Sequence, residues 1–370
     1  MSGHFSALLT GQRDKGDSER VPVTVLTGFL GSGKTTLLNR LLQLPDLHGT
    51  AVIVNEFGEI GIDHDLVAHT SEDTVLLANG CLCCVVRGDL IDALLRLGLR
   101  TDAPLRQVLI ETSGLANPGP ILRTLMGEPA VRERFALAGV ACTVDGVLGL
   151  GTLEREAEAA QQVAMADALF ITKTDLLPGP VPQALLARLE ELNPGAALNL
   201  DRAGQPLALR GLMQPGQLPA GAQGEIAPFY RPIARAEAVA GADGLTTHGK
   251  GISSFVIVRD YPLPREGFAA WLDMVTAMRG EDILRVKGIV QLAEHPEQPL
   301  VFHGVQHLFH PPETLSVWPG PDRRTRIVFI TRGVDAQAMD EALSVMARRR
   351  RAGTLTPPKT EPKNQTTETP

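Results

Sequence analysis

Short apolar runs alternate with longer amphipathic stretches from Val21 to about residue 200. The apolar runs predict strands at 23–27, 50–55, 74–78, 107–111, 138–144 and 168–172. Apolar residues at helical spacing predict helices at 34–44, 88–98, 118–126, 154–166 and 182–192. Strands that alternate with helices are typical of an α/β fold, so we predict a doubly wound, mainly parallel sheet with helices on both faces.

A second apolar pattern begins after residue 250. It predicts strands at 254–258, 283–292, 300–308 and 326–331. One helix is indicated by a stripe of large apolar residues, namely Phe268, Trp271, Leu272, Val275 and Met278. This pattern predicts a smaller α+β domain, with one sheet and helices on one of its faces.

Changes in composition divide the chain further. The polar residues 1–20 predict a mobile leader before a first domain at 21–215. A stretch rich in Gly, Ala, Pro and Gln predicts a linker at 216–250, followed by the second domain at 251–335. Residues 336–370 are predicted to hold a terminal helix turn and a disordered tail.

Composition narrows the class of protein. The chain has 370 residues, of which 44% are hydrophobic and 21% charged, as in an ordinary globular protein. The net charge of −7 argues against a nucleic-acid partner, and no apolar run is long enough to predict a membrane span. Three of the four cysteines lie within four positions, which is no disulfide framework, so we expect a reducing, cytoplasmic location.

The segment Gly28–Thr36 (GFLGSGKTT) lies between the first predicted strand and the first predicted helix. It fits the phosphate-binding pattern G-x-x-x-x-G-K-[ST], in which backbone N–H groups approach a phosphate closely. We expect Lys34 to reach the β- and γ-phosphates and the Thr35 hydroxyl to bind Mg²⁺. The predicted nucleotide contacts of this loop are Gly28, Gly31, Ser32, Gly33, Lys34, Thr35 and Thr36.

The segment Thr172-Lys173-Thr174-Asp175 follows a predicted strand and favours guanine as the base. An ionised Asp175 can accept hydrogen bonds from N1–H and the exocyclic amine of guanine, whereas adenine presents the opposite pattern. Lys173 can pack its stem along the base, and Thr172 replaces the Asn with which the usual motif begins. A P-loop kinase or an ATPase is the competing interpretation, and this segment argues against it.

Glu111 ends a predicted strand and is followed by Thr112-Ser113-Gly114. A carboxylate at the end of a strand beside the phosphate loop can organise Mg²⁺, and the Gly114 N–H can meet a γ-phosphate. We therefore predict Lys34, Thr35 and Glu111 as the catalytic residues. An incidental acid near a helix N-terminus remains the alternative for Glu111.

The acidic segment 55–63 (NEFGEIGID) leaves another predicted strand, where a nucleotide-sensing switch would lie. We predict Glu56 as a ligand of a transition metal and Asp63 as a ligand of magnesium. A solvated acidic loop is the alternative, and it is as good an interpretation for Glu59.

Cys81, Cys83 and Cys84 form a C-x-C-C cluster. Thiolates select Zn²⁺ or Cu⁺ over Mg²⁺, and three of them leave a fourth tetrahedral position open, which suits a site that receives and releases metal. A redox-sensing cluster or buried cysteines remain as alternatives. Cys142 lies alone in an apolar strand and is expected in the core. Whether His303, His307 or His310 bind metal stays open.

The motifs GFLGSGKTT, NEFGEIGID, GCLCC, ETSG and TKTD occur in an order that resembles the CobW-type metallochaperone GTPases. The resemblance spans residues 21–335 and includes RVKGIV and the later segments VFHGVQHLF and RIVFITRG. It implies Mg²⁺-dependent hydrolysis of GTP, coupled to the binding of a transition metal and its delivery to a client protein. It also implies that Glu111 replaces the usual switch Asp and that Cys81, Cys83 and Cys84 are the metal motif.

Zinc is the cargo most often proposed for the family, and we adopt a zinc-delivering GTPase as the first hypothesis. A cobalt chaperone for cobalamin synthesis or nitrile hydratase is one alternative. A sensor GTPase whose thiols become oxidised is another. Many members carry a long His-rich stretch before the second domain, whereas this region offers only His248 here, which argues against metal storage.

Overall fold

Strands and helices alternate through the first part of the chain, as the sequence predicts. The computed structural model describes residues 4–10, 20–42, 49–55, 74–77, 85–99, 104–201, 245–247 and 251–349. The strands of the first domain are β1 (Val21–Gly28), β2 (Thr50–Asn55), β3 (Thr74–Leu77), β4 (Gln107–Thr112), β5 (Phe135–Asp145), β6 (Ala168–Thr172) and β7 (Ala197–Leu200). The helices of this part are α1 (His4–Thr10), α2 (Lys34–Leu42), α3 (Val85–Gly98), α4 (Gly119–Gly127), α5 (Pro129–Arg132), α6 (Gly149–Arg155), α7 (Ala157–Met165) and α8 (Gln183–Leu192).

The first sheet is parallel, with the strand order β3-β2-β4-β1-β5-β6-β7. Strand β1 is central, and the chain crosses from one side of it to the other between β4 and β5. A crevice at the carboxyl ends of the strands is the usual ligand site at such a crossing. The segments that carry the predicted nucleotide contacts follow β1, β4 and β6 at this edge.

Alternate residues of β1 enter two different hydrophobic cores. Val23 and Val25 pack in the larger core with helices α3, α4, α7 and α8. Leu26 points to the opposite face, where it packs with the apolar stripe of α2. Helices therefore cover both faces of the sheet, which confirms the predicted doubly wound fold.

The second domain is built around an antiparallel sheet. Its strands are β8 (Leu245–Thr247), β9 (Ile252–Arg259), β10 (Ile283–Val290), β11 (Leu300–Val305), β12 (Leu308–Phe309), β13 (Glu313–Thr314) and β14 (Thr325–Arg332). They lie in the order β12-β11-β10-β14-β9-β8, and β13 pairs with β11. Helices α9 (Arg265–Arg279) and α10 (Ala336–Arg349) pack with the apolar residues of one face, as predicted for an α+β domain.

Some helices and strands of the first domain differ from the prediction. The stretch 154–166, predicted as one helix, contains the end of α6 and then α7, because the backbone of Glu156 is extended (φ −105°, ψ 117°). No glycine or proline marks this break in the sequence. Strand β7 was not predicted. Every second side chain along it is half-buried, and the others are exposed.

Three elements lie within the predicted leader, linker and tail. Residues 4–10 of the predicted leader form α1, and Phe5 is fully buried in the core of the second domain. Strand β8 lies within the predicted linker and pairs with β9. Helix α10 is 14 residues long, where only a helix turn was predicted.

The two domains share a buried boundary. Ile252, Leu284, Val305 and Ile330, on the sheet face away from α9 and α10, belong to the large core of the first domain. Within the described part of the chain, no helix has the length and apolar character needed to cross a membrane.

Candidate nucleotide site

The loop between β1 and α2 depends on its glycines. Gly31 and Gly33 have φ angles of 71° and 90°, a region that glycine adopts without a steric penalty. A Cβ atom at Gly28 would lie 2.6 Å from the carbonyl oxygen of Thr143, so no larger residue fits there. The sequence thus forms the open backbone cradle that the phosphate-binding pattern predicts.

Lys34 begins α2 and bends back over this loop. Its Nζ donates hydrogen bonds to the carbonyl oxygens of Gly28 (3.0 Å) and Phe29 (3.3 Å). The ammonium group therefore lies inside the curve of the loop, next to the N-terminus of α2, where free N–H groups favour an anion. Thr36 follows in the first turn and is exposed.

Thr35 and Glu111 meet beside the loop. The Thr35 hydroxyl donates a hydrogen bond of 2.7 Å to Glu111 Oε1, and the Glu111 side chain is buried at the end of β4. Hydroxyl and carboxylate oxygens are the ligand types that Mg²⁺ prefers. The donor set therefore fits magnesium, as the sequence predicted for these two residues.

Gly114 lies against the phosphate loop. A Cβ atom at this position would be 2.7 Å from the backbone nitrogen of Leu30, so glycine allows the two segments to touch. The turn that contains Gly114 is closed by a 3.0 Å hydrogen bond from Ala116 N to Ser113 O. The segment after Glu111 is therefore close to the site where a γ-phosphate is expected.

Thr172 joins the predicted guanine-reading segment to the phosphate loop. Its buried hydroxyl lies 2.7 Å from the carbonyl oxygen of Ser32 and 3.2 Å from that of Val144. The Ser32 hydroxyl in turn lies 2.6 Å from Thr143 Oγ1. The threonine that replaces the usual Asn thus holds the two loops together.

Lys173 has a left-handed backbone (φ 55°) and pairs with Asp145 at 2.6 Å. Burial raises the pKa of Asp145, but hydrogen bonds from Lys173 and from the N–H groups of Leu148 and Val147 outweigh it and lower the pKa overall. Asp145 is therefore ionised and fixes the lysine at the edge of the site. The sequence interpretation missed Asp145, although an acid at the end of a predicted strand was a usable signal.

Asp175 lies exposed in the short 3₁₀ turn Thr174–Leu176. The turn is tied to the end of β7, because the Thr174 hydroxyl donates to the carbonyl oxygen of Asp201. Arg40 of α2 pairs with the Asp201 carboxylate at 2.7 Å. The Asp175 carboxylate is thus held at the site edge and stays accessible to a base.

The predicted ligands of the transition metal lie outside the described residues, and they are Cys81, Cys83, Cys84 and Glu56. Asp63, predicted to bind magnesium with Thr35 and Glu111, also lies outside them, as does Glu59. In the parts of the chain that the structure describes, no group of three or more His, Cys, Asp or Glu side chains is arranged to hold a metal. Cys142 is buried in β5 as expected, and burial raises the pKa of its thiol to about 12.

The structure brings His303 and His310 together but separates His307 from them. The two rings stack in parallel with centroids 3.9 Å apart. Burial and nearby positive charge lower both pKa values, that of His310 to about 4. Strand β11 ends at Val305, before His307, which lies near Gly280 instead.

Two family models match the chain, one in each domain. The model described as CobW/HypB/UreG, nucleotide-binding domain, matches residues 22–199, and the model described as cobalamin synthesis protein cobW C-terminal domain matches residues 252–347. The zinc chaperone YjiA of Escherichia coli is 32% identical over 297 residues, which are 78% of this chain and 87% of the relative. The chain belongs to the CobW family.

Two further similarities support this membership. The zinc chaperone CobW of Pseudomonas aeruginosa is 32% identical over 351 residues, covering 88% of this chain and 91% of that protein. The solved structure of a zinc-bound triple mutant of the YjiA GTPase matches with a TM-score of 0.65 and 25% identity, covering 89% of this chain and 99% of that chain. The CobW family and its two-domain fold, both expected from the motifs, are confirmed.

The CobW nucleotide domain therefore presents three groups at one sheet edge. The phosphate loop with Lys34 suits a polyphosphate, the Thr35–Glu111 pair suits a hard cation, and the Thr172–Asp175 segment suits a base. Thr172 joins the base segment to the phosphate loop, and Asp145 fixes Lys173 beside it. Such an arrangement can bind a nucleoside triphosphate and polarise its terminal phosphate.

Proposed function

We propose that this CobW-family chain is a Mg²⁺-dependent GTPase that binds zinc through Cys81, Cys83 and Cys84 and delivers it to a client protein. The hydrogen bond between Thr35 and Glu111 beside the phosphate loop is the observation that carries the nucleotide part. The metal part rests on the thiol motif and on the similarity to two zinc chaperones.

The hydrolytic roles follow from position. Lys34 neutralises charge on the β- and γ-phosphates, and the backbone N–H groups of residues 31–36 bind the phosphate oxygens. Thr35 and Glu111, together with Asp63, would hold magnesium directly or through water, and the ion would neutralise charge that develops on the phosphates. The Gly114 N–H would donate a hydrogen bond to the γ-phosphate, since Gly114 lies against Leu30 of the phosphate loop.

Guanine selection is assigned to Asp175, with Thr172 and Lys173 as its support. Thr172 ties this segment to Ser32, and Lys173 is anchored by Asp145. Because both anchors are buried or half-buried, the segment keeps its place relative to the phosphate loop. A base that donates two hydrogen bonds to Asp175 can therefore bind there while its phosphates occupy the phosphate loop.

Zinc is the cargo in this proposal, and the binding of GTP controls the affinity of the chain for zinc. The thiol motif follows β3 and Glu56 follows β2, and both strands end at the edge where the phosphate loop opens. We expect Mg²⁺ and GTP to change the zinc affinity by about tenfold or more, which corresponds to about 1.4 kcal/mol of coupling. By linkage, zinc must change the affinity for GTP by the same factor.

Calorimetric titration tests this proposal. Zinc is titrated with and without a non-hydrolysable GTP analogue and Mg²⁺, and the analogue is titrated with and without zinc. Cys83→Ser should abolish the effect of zinc on nucleotide affinity and leave nucleotide binding itself intact, because the thiol is not a nucleotide ligand. Cys142→Ala is the matched control, since this cysteine is buried in β5.

The outcomes separate the parts of the proposal. Two affinities that prove independent would refute the chaperone mechanism, even if both ligands bind tightly. A repeat of the titrations with cobalt shows whether the site prefers that metal. Zinc binding that survives Cys83→Ser would assign the cargo to other ligands.

A further inference from the structure

We propose that Gln162 is a positioning residue for GTP hydrolysis and links the loop after Glu111 to the second domain. The loop concerned is Ser113–Pro118, which we call the sensor loop. The inference rests on the proposed GTPase activity. The conformation of the second domain then depends on the bound nucleotide, and Gln162 transmits this dependence.

Gln162 of α7 is hydrogen-bonded to the backbone of the sensor loop. It is buried in the middle of α7, and its Nε2 donates to the carbonyl oxygens of Gly114 (3.1 Å) and Ala116 (3.0 Å). Two carbonyl oxygens can only accept, so the amide nitrogen must face them. A buried amide with both hydrogens committed fixes the turn to this helix.

The Oε1 atom of the same side chain is buried and accepts no hydrogen bond from the described residues. Gln162 also lines a cavity of about 150 Å³ between α6, α7 and the phosphate-loop residues Phe29–Ser32. An apolar residue of similar shape would avoid an unpaired buried oxygen, which is costly. The glutamine is thus better explained by the loop that it holds than by packing.

The opposite side of the sensor loop touches the phosphate loop. Gly114 leaves no room for a Cβ atom beside Leu30. A rearrangement of the phosphate loop, or a new contact at the Gly114 N–H, must therefore move the turn. Because the turn is bonded to Gln162, the movement reaches α7.

Helix α7 ends at the domain boundary, one turn after Gln162. The carbonyl oxygen of Met165 accepts a hydrogen bond from Arg285 of β10 at 3.4 Å. Asp167, two residues later, pairs with Arg285 and lies 3.2 Å from Lys287 Nζ. All three charged side chains are more than nine-tenths buried, so this boundary cannot absorb a shift of α7 without moving β10.

The far end of the sensor loop reaches the second domain independently. Asn117 Oδ1 accepts a hydrogen bond of 2.8 Å from Gly119 N at the start of α4. One turn later, Arg123 donates to Gln306 Oε1 at 2.8 Å. Gln306 is buried in the turn between β11 and β12, with a left-handed φ of 56°. The sensor loop is therefore connected to β10 through α7 and to the turn after β11 through α4.

The experiment uses the full chain and three variants. Gln162→Met removes the two donated hydrogen bonds while keeping the length of the side chain, and Gln162→Glu replaces the donor by an acceptor. Gln183→Met, at an exposed position of α8, is the matched control. Single-turnover GTP hydrolysis and GDP affinity are measured, together with hydrogen exchange of the β10 amides in GDP and in a non-hydrolysable GTP analogue.

We expect both Gln162 variants to hydrolyse GTP about tenfold more slowly or worse, with GDP affinity within about twofold of wild type. This split is expected because Gln162 contacts the sensor loop and not the guanine-reading segment. In the wild type, exchange of β10 amides should differ by about fivefold or more between the two nucleotides, and Gln162→Met should remove the difference. Gln183→Met should behave as wild type in every measurement.

Each other outcome has a definite meaning. Variants that keep the wild-type hydrolysis rate and the nucleotide-dependent exchange of β10 would overturn the inference and leave the GTPase standing. If neither variant folds, the wild type alone decides, and exchange in β10 that ignores the nucleotide overturns the inference. A wild-type chain that does not hydrolyse GTP removes the proposed function itself.

Discussion

Thr172 shows how one side chain can replace another at a loop junction. The usual guanine-reading motif begins with an Asn at this position. Here the hydroxyl reaches the carbonyl oxygen of Ser32 directly, at 2.7 Å. The approach is possible because Thr172 is the last residue of a strand next to the phosphate loop. The Thr172 hydroxyl therefore joins the two loops, and the proposed recognition of guanine rests on Asp175.

Asp175→Asn should weaken GTP binding and shift the preference toward xanthosine triphosphate. The amide removes one acceptor that faces guanine, and an unmatched polar group of this kind costs about 1–3 kcal/mol. We expect the GTP affinity to fall by the corresponding factor of about 5 to 150. Competitive titration of the two nucleotides measures the shift.

Asp260→Asn, at an exposed position of the second domain, provides the matched control for this change. It should leave both affinities unaltered. A wild-type affinity for GTP in the Asp175 variant would mean that guanine is read by another residue.

The site residues that the sequence predicted lie in contiguous motifs, and those that it missed do not. Lys34, Thr35 and Glu111 belong to short patterns with fixed spacing. Asp145 meets Lys173 across 28 positions, and Gln162 meets Gly114 across 48. Such pairs depend on strand order and helix placement, which a single sequence does not reveal.

Among the elements, α1 has the clearest energetic role. Phe5 packs edge-to-face against Phe268, Phe302 and Phe309, with ring centroids 5.1–5.7 Å apart. The Asp273 carboxylate accepts hydrogen bonds from the N–H groups of Phe5 (2.7 Å) and Ser6 (3.1 Å). The short helix is thereby fixed to α9 at both its apolar and its polar face.

Phe5→Ala should lower the free energy of unfolding of the second domain by about 3–5 kcal/mol, as is usual for a buried Phe→Ala change. Both tryptophans of the chain, Trp271 and Trp318, lie in this domain, so their fluorescence during denaturant unfolding reports its stability. Met278→Ala on the exposed side of α9 is the control. Equal stability of the two variants would show that α1 contributes little.

Element boundaries were predictable where apolar periodicity was strong and ended at a turn residue. Strands β2 and β6 have the predicted limits, and α2, α4 and α8 differ by at most two residues. The division between α6 and α7 was not predictable, because the stretch around Glu156 has good helical residues and no breaker. The extended backbone of Glu156, rather than a residue of low helical propensity, separates the two helices.

At the scale of the whole molecule, the domain boundary carries buried charge. Arg285 and Lys287 face the carboxylate of Asp167, and the stacked rings of His303 and His310 lie beside them. Burial lowers the pKa of both histidines, and the charges of Arg285 and Lys287 act on His303 in the same direction. Arg285 and Arg20 lower the pKa of His310 further, while Asp167 opposes them. Both rings are therefore neutral at pH 7.

This charge arrangement predicts a loss of stability in mild acid. The folded-state pKa values lie below the ordinary value of 6.5, so the unfolded chain binds more protons between that pH and about 4. The free energy of unfolding should therefore be unaffected by these groups above about pH 6.5 and should fall as the pH drops toward 4. Denaturant unfolding across this range measures the slope.

His310→Gln should flatten this slope, because it removes one of the two protons taken up on unfolding. His295→Gln, at an exposed position, is the control and should leave the slope unchanged. A profile that stays flat between pH 4 and pH 6.5 in the wild type would contradict the assignment of neutral histidines to the boundary.

The position of Phe5 also sets an order of events during translation. Helix α1 is made before its aromatic partners, which extend to Phe309, about 300 residues later. At a synthesis rate of about 5–20 residues per second, Phe309 is made about 15–60 s after α1. The first domain can fold during this interval, since its strands end at Leu200. Helix α1 can therefore dock only after the strands that carry Phe302 and Phe309 have been made, although it precedes the first domain in the chain.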